Sequence, residues 1–151
     1  MEANIAPQKC GTSAIPRFVG ATRDDGLVKQ RHVRTATALR DDDVLVRGGD
    51  LEAVVIRADA RRNHSIYGVY GVSVFAAHAA TIDELAQLPP LVRFERLTLV
   101  RVDELLAVGM RLQPTGRNPA YYDIEFDDLE SGVDALCSCE YRVVTNSYHD
   151  R

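Results

Sequence analysis

The chain has 151 residues, 46% of them hydrophobic and 26% charged, and a formal net charge of −4. This length predicts one domain, which can bury about 68–70% of its unfolded surface and needs neither disulfides nor a metal to fold. No apolar run reaches the roughly 18 residues of a membrane-spanning helix, and the N-terminus lacks the apolar segment of a signal peptide. The three cysteines, an odd number, do not fit a disulfide framework, so we expect a cytoplasmic protein without membrane contact.

Charge is distributed unevenly along the chain. Residues 1–40 carry seven basic and three acidic side chains, whereas residues 41–151 carry eleven basic and nineteen acidic ones. The first forty residues also lack a helical or strand period, because glycines and prolines interrupt every short apolar run. They are predicted to be a basic, mostly irregular N-terminal arm, either a disordered extension or a segment that docks on a partner or on the acidic domain. That domain, residues 41–151, repels phosphate backbones, so nucleic acid is an unfavourable partner for it.

From residue 44 onwards, strand and helix patterns alternate. A capping box at Thr81 and Glu84 marks the start of the second helix, which stops before Pro89. Strands are predicted at residues 44–47, 67–77, 91–102, 110–112, 121–126 and 141–144, and helices at 51–63, 82–88, 104–108 and 129–136. Asp50 is the predicted N-cap of the first of these helices. The short third helix and the late strand-turn-strand favour an α+β domain over parallel crossovers. We therefore expect one α+β domain with a mixed five- to six-stranded sheet and three to four short helices.

Arg47 ends an apolar strand and precedes Gly48 and Gly49. A guanidinium beside an open glycine backbone suits a carboxylate or phosphate ligand, because its fork can bind either group with two parallel hydrogen bonds. The alternative is an internal ion pair with one of the acidic residues of the domain. Both interpretations remain open on the sequence alone.

Histidine and cysteine provide weaker signals. His64 lies at the end of the first predicted helix, where a protonated ring complements the helix dipole. It could instead act as a general base beside Tyr67 at the mouth of a cleft. Cys137 and Cys139 are separated by one residue, a spacing unusual for structural zinc, so packing is the favoured role and no metal is expected.

Three segments together resemble a known enzyme family. Arg47 on the first strand, the Tyr-Gly-Val-Ser run of residues 70–73 on the second and the Asp-Ile-Glu run of residues 123–125 on a late strand are similar to the arginine–serine–glutamate class of ADP-ribosyltransferases. The three segments also follow the chain order of that family. Phe75 stands where the family has a second serine or threonine.

The resemblance implies roles for individual residues and a cofactor. Arg47 would hold the phosphates of NAD, Ser73 would order the nicotinamide-ribose pocket next to Tyr70, and Glu125 would support attack at the ribose carbon. The implied protein is a small NAD-dependent toxin of a bacterial toxin–antitoxin pair, with an antitoxin-like or target protein as its partner.

Two alternatives belong to other functional classes. In the first, the protein is a non-catalytic interaction domain with an aromatic-lined surface for a protein or ligand. The aromatic residues of that surface would be Tyr67, Tyr70, Phe75, Tyr121 and Tyr122. In the second, the protein is a ribonuclease-type toxin that uses His64 with an arginine, which the acidic domain disfavours.

Overall fold

A computed structural model describes residues 28–149 of the chain. These residues form six strands and five helices. The strands are β1 (Val44–Gly48), β2 (Tyr70–Ala77), β3 (Arg96–Arg101), β4 (Arg111–Pro114), β5 (Tyr121–Phe126) and β6 (Tyr141–Thr145). The helices are α1 (Ala53–Tyr67), α2 (Ile82–Ala86), α3 (Pro89–Val92), α4 (Val102–Ala107) and α5 (Leu129–Cys137). No helix within this part of the chain is long and apolar enough to cross a membrane.

All six strands belong to one sheet with the order β4-β5-β2-β1-β3-β6. The predicted α+β class is confirmed, and so is the larger of the two predicted strand numbers. A mixed sheet was expected, but every strand pairing in the described sheet is antiparallel. Pairing of strands that are distant in the chain, such as β2 with β5, depends on tertiary contacts that periodicity does not report.

Each face of the sheet is covered by a different set of helices, because alternate residues of each strand point to opposite faces. On the first face, α1, α4 and α5 bury the larger core, which includes Leu45, Val74 and Ile124. On the second face, α2 and α3 cover a smaller core around Phe75 and Leu97. The sheet is therefore buried on both sides over most of its width.

The predicted strand at residues 91–102 was wrong at both ends. Its first residues form α3, a single turn with Pro89 and Pro90 at its start, and its last residue begins α4. Proline is favoured in the first helical turn because its missing N–H would have no partner there. β3 is therefore only six residues long, and this additional helix brings the number to five rather than three to four.

The predicted start of α2 is confirmed, whereas that of α1 is not. At α2 the capping box is present: Glu84 N donates to Thr81 Oγ1 at 3.1 Å, and Thr81 N donates to Glu84 Oε1 at 2.8 Å. α1 begins at Ala53, two residues later than predicted, and its N-cap is Glu52 instead of Asp50. The side chain of Glu52 makes no capping hydrogen bond. Asp50 instead accepts a hydrogen bond from Arg96 Nε at 3.1 Å. An ion pair thus holds the residue that the sequence suggested as a cap.

Residues 28–40 precede the sheet and run along it without forming a regular element, apart from a bridge of Val33 with Thr115 beside β4. Arg34 N donates to Pro114 O at 2.9 Å, and Gly116 N donates to His32 O at 3.0 Å. The segment therefore pairs with the outer edge of the sheet at β4. The domain boundary at residue 40 stays a prediction, and most of the predicted arm, residues 1–27, lies outside the described residues.

Candidate functional site

A cleft opens in the middle of the sheet, where β1 and β2 separate. Residues 44–46 of β1 pair with residues 75–77 of β2, whereas β2 pairs with β5 along residues 70–75. β1 then turns away through Gly48 and Gly49. The backbone of β2 from residue 70 to residue 73 consequently faces a gap where the next strand would otherwise lie.

The gap widens into a cleft of about 440 Å³ between α1, α3 and the two strands. This volume falls within the range of roughly 300–1,000 Å³ that is typical of small-molecule sites. One wall is polar and the other is apolar. The polar wall contains Arg47, Asp59, Arg62, Asn63 and Ser73, the apolar wall contains Val46, Phe75, Leu91 and Phe94, and Tyr67 and Tyr121 also line the cleft.

Arg47 spans the gap between the two strands. Its Nη1 donates to the carbonyl oxygen of Ser73 at 3.0 Å, and its Nη2 pairs with Asp59 of α1. Arg62 lies on the other side of the same carboxylate, with Nη2 3.1 Å from Asp59 Oδ1. The internal ion pair anticipated as an alternative is therefore present, and the same guanidinium lines the cleft.

The two glycines after Arg47 are explained by the fold itself. A Cβ atom at Gly48 would lie 2.1 Å from Cδ2 of Phe94, so only glycine allows this ring to pack against the strand. Gly49 has φ of +79°, a left-handed conformation that side chains other than glycine adopt at a cost. The glycine pair therefore gives no independent support for a ligand.

Three hydroxyl groups and one carboxyl group meet at and behind Ser73, on the polar wall of the cleft. The hydroxyl of Tyr121 hydrogen-bonds to Ser73 Oγ, and Ser73 Oγ donates to Asp123 Oδ1 at 3.4 Å. Thr115 Oγ1 donates to the other oxygen of Asp123 at 3.1 Å. Burial raises the pKa of Tyr121, so its hydroxyl keeps its proton at neutral pH. The cleft wall is thus a connected network of hydrogen bonds.

Arg31 lies behind this network and contacts both of its neighbouring carboxylates, although no sequence motif marked it. Its Nη1 donates to Asp123 Oδ2 at 2.8 Å, and its Nη2 pairs with Glu125 Oε2 in a contact that is not aligned as a hydrogen bond. Asp123 is 3% exposed and Glu125 6%. Burial alone would lower the pKa of Arg31, but its contacts with Asp123 and Glu125 outweigh burial and raise it. Arg111 Nη2 also lies 3.8 Å from Glu125 Oε1, so the two buried carboxylates share Arg31 and a second, half-exposed arginine.

Glu125 lies next to the cleft but does not line it. It is paired in register with Gly71, which does line the cleft, and a Cβ atom at Gly71 would lie 3.6 Å from Glu125 Cγ. The structure thus brings Arg47 and Ser73 into one cleft. The carboxylate of Glu125 is on the same face of the sheet as Ser73, behind Gly71 and in contact with Arg31.

His64 and Tyr70 lie apart from these residues. Their rings stack at a centroid distance of 4.2 Å with an interplanar angle of 20°, and neither ring lines the cleft. Tyr70 packs against the core of the first face, opposite to Ser73. His64 is in the last turn of α1, where its carbonyl oxygen accepts from Gly68 N at 2.8 Å. The histidine thus stacks on Tyr70 at the helix end, and within residues 28–149 it makes no hydrogen bond or ring-stacking contact with Tyr67.

The aromatic residues expected on one surface are divided between the two faces of the sheet. Phe75 and Tyr121 contact each other edge to face at 5.3 Å on the second face, and both line the cleft with Tyr67. Tyr70 and Tyr122 pack against the core of the first face instead. Within residues 28–149, no three histidine, cysteine or acidic side chains are grouped so that they could hold a metal ion.

No protein-family model matches the chain, and neither a curated protein nor a solved structure is similar to it. Function therefore has to be inferred from the cleft and its contacts.

Proposed function

We propose that the cleft binds a small anionic molecule with a ring or another flat apolar part. The placement of Arg47 is the observation that supports this most directly. Its guanidinium lies between two strands at the boundary of the cleft, where one nitrogen already contacts a carboxylate and the other contacts a backbone oxygen. An anionic group that enters the cleft can take the place of Asp59 on this fork.

The charge of the cleft favours an anion although the domain is acidic. Arg47, Arg62 and Arg93 line it, and Asp59 is the one acidic lining residue in the part of the chain that the structure describes. The opposite wall, with the rings of Phe75 and Phe94, offers apolar surface for the rest of the molecule. Arg93 lies over the Phe94 ring at 5.5 Å, which extends the positive charge to the rim of the apolar wall.

The Arg47→Lys variant tests this proposal. Lysine keeps the charge but cannot make the fork contact, so we expect binding of AMP and of L-phenyllactate to weaken by roughly ten-fold or more. Stability should change by about 1 kcal/mol or less, because the pair with Asp59 is partly solvated and its charge is retained. Isothermal titration calorimetry and urea unfolding measure the two effects.

Arg57→Lys is a matched control for this experiment. Arg57 is on the same helix as Asp59 and pairs with Glu130 of α5 at 3.0 Å, but it does not line the cleft. Its substitution should leave both affinities unchanged. If neither compound binds the wild-type protein at millimolar concentration, or if both arginine variants bind equally well, the proposed site is wrong.

ADP-ribosyl transfer from NAD is the second candidate. It is supported by one feature of the cleft: Arg47 and Ser73 line it together, and Glu125 is separated from it only by Gly71. In this proposal the phosphates of NAD contact Arg47, and Glu125 leaves Arg31 to support attack at the ribose carbon. Transfer to water would break the bond between ribose and nicotinamide and would release ADP-ribose, nicotinamide and a proton.

The Glu125→Gln variant separates this enzyme from a simple binding protein. We expect it to reduce nicotinamide release from NAD by about a hundred-fold or more, as for loss of a general base or charge stabiliser. Binding of AMP should remain, because Glu125 does not line the cleft. Nicotinamide release should be measured by chromatography against Glu130→Gln, a solvent-facing control. Equal release by wild type and Glu125→Gln would exclude the enzymatic role.

An antitoxin-like or target protein as partner stays a prediction, and so does the ribonuclease alternative based on His64. The non-catalytic alternative is compatible with the proposed site, because Tyr67, Phe75 and Tyr121 all line the cleft.

A further inference from the structure

We infer that the ligand of the cleft carries a neutral hydroxyl near its anionic group, and that Tyr121 accepts a hydrogen bond from this hydroxyl. The inference rests on the function proposed above and adds the chemical class of the ligand. It follows from the direction of the hydrogen bonds in the cleft wall, which can be deduced starting from Arg31.

Asp123 can only accept hydrogen bonds. Its carboxyl group is buried and faces the guanidinium of Arg31 at 2.8 Å, which requires a negative partner. An ionised carboxylate has no proton to donate. Ser73 and Thr115, whose hydroxyl oxygens lie 3.4 and 3.1 Å from Asp123, therefore both donate to it.

The donation from Ser73 to Asp123 also determines the direction of the hydrogen bond between Ser73 and Tyr121. A serine hydroxyl has one proton, and that of Ser73 is directed to Asp123. In the bond between Ser73 and Tyr121, the tyrosine must then be the donor. The raised pKa of Tyr121, caused mainly by burial, agrees with a hydroxyl that keeps its proton.

Tyr121 consequently presents an acceptor to the cleft. Its proton is directed to Ser73, which leaves a lone pair on its oxygen, and within residues 28–149 no other hydrogen bond to this hydroxyl is found. Both Tyr121 and Arg47 line the cleft, so a donor and an acceptor face the same bound molecule. A ligand that satisfies both has an anionic group for Arg47 and a donor group for Tyr121.

The charge of the residues that line the cleft indicates the chemical nature of the ligand's donor group. Three arginines and one aspartate line it, so an ammonium group would be repelled and a neutral hydroxyl would not. Two kinds of small molecule combine an anionic group, a neighbouring hydroxyl and a ring. One is an aromatic hydroxy acid, and the other is a nucleoside monophosphate.

Matched pairs of compounds test the inference and separate the two kinds. In each pair the members differ only in hydroxyl groups: L-phenyllactate against 3-phenylpropionate, and AMP against its 2′,3′-dideoxy analogue. In the pair that resembles the ligand of the cleft, we expect the hydroxyl-bearing compound to bind the wild-type protein roughly three- to ten-fold more tightly than its partner. This difference corresponds to the net contribution of one hydrogen bond. Calorimetric titration of the full-length protein gives the four dissociation constants.

Variants assign the effect to Tyr121. Tyr121→Phe keeps the ring against Phe75 but removes the acceptor, so it should reduce the affinity ratio within the pair to about one, with unchanged affinity for the member without hydroxyls. Tyr122→Phe is the control, since Tyr122 is the next residue on β5 and faces the opposite core. If Tyr121→Phe does not fold, the O-methyl ethers of the two hydroxyl-bearing compounds serve as the second test with the wild-type protein. A methoxy group can accept but not donate a hydrogen bond, so these ethers should bind no more tightly than the members without hydroxyls.

The outcomes are distinguishable. A wild-type ratio of about one in both pairs, with binding that Arg47→Lys weakens, would overturn the hydroxyl inference and leave the anion site standing. A preference that persists in Tyr121→Phe, or that the O-methyl ethers retain with the wild-type protein, would also overturn it. Absence of binding by all four compounds would overturn the proposed anion site and the inference with it.

Discussion

Replacing Arg31 with alanine is expected to lower the free energy of unfolding by about 3–5 kcal/mol, the usual cost of leaving a buried charge without its partner. Asp123 and Glu125 are both buried and both contact this guanidinium. Thr115 and Ser73 would still donate to Asp123 but supply no positive charge. Glu125 would keep only its long pair with the half-exposed Arg111, at 3.8 Å. Urea unfolding at neutral pH, followed by circular dichroism, measures the loss.

Two further variants check the cause of this loss. Arg31→Lys keeps one charge but cannot span both carboxylates, so its loss of stability should be smaller than that of alanine. Combining Arg31→Leu with Asp123→Asn and Glu125→Gln removes all three charges and should recover most of the stability, because the cost comes from unpaired charge. A loss below about 1 kcal/mol in Arg31→Ala would show that the carboxylates are solvated instead. A large loss would also place the start of the folded unit before residue 31, not at residue 41.

Truncation of Leu97 to alanine is expected to cost about 2–5 kcal/mol. Leu97 is 1% exposed in the smaller core, where it packs with Phe75 and Leu91 beneath α2 and α3. The truncation removes buried apolar atoms and leaves a cavity that the surrounding side chains fill only in part. The midpoint of thermal unfolding and the urea transition should both fall.

Leu106→Ala is the control for this experiment. Leu106 is on α4 and is 48% exposed, so its truncation should change stability by about 0.5 kcal/mol or less. If Leu97→Ala costs no more than Leu106→Ala, the second face is not a true core. The cleft would then lose the support of α3, which contributes Leu91 to its apolar wall.

Local pattern was sufficient to predict most of the elements. The alternation at residues 121–126 predicted β5 with its bounds, and threonine followed three residues later by glutamate predicted the start of α2. Local pattern failed at residues 91–95, where two apolar residues are followed by alternating charged and apolar ones. So short a segment fits a strand, a helical turn or a loop equally well. The antiparallel order of the strands depends on contacts between distant residues, which periodicity in one sequence does not contain.

For the site, the sequence identified single residues better than their contacts. Arg47 and Ser73 were predicted and do line one cleft, because β1 and β2 are neighbours in the sheet. His64 was expected beside Tyr67 at the cleft mouth, but its ring stacks on Tyr70 and does not line the cleft. Arg31 had a detectable signal: two acidic residues at alternate positions of a buried strand face require a cation, though the pattern does not say which one.

The separation of β1 from β2 has a mechanical consequence for the whole sheet. Three residue pairs join these two central strands, compared with five between β1 and β3 and six between β2 and β5. The sheet therefore consists of two three-stranded halves, β4-β5-β2 and β1-β3-β6, joined by a short ladder. Beyond the end of this ladder, the guanidinium of Arg47 in one half donates a hydrogen bond to the backbone of Ser73 in the other. We therefore expect a twist of one half of the sheet against the other to change the width of the cleft while the ladders within each half stay intact.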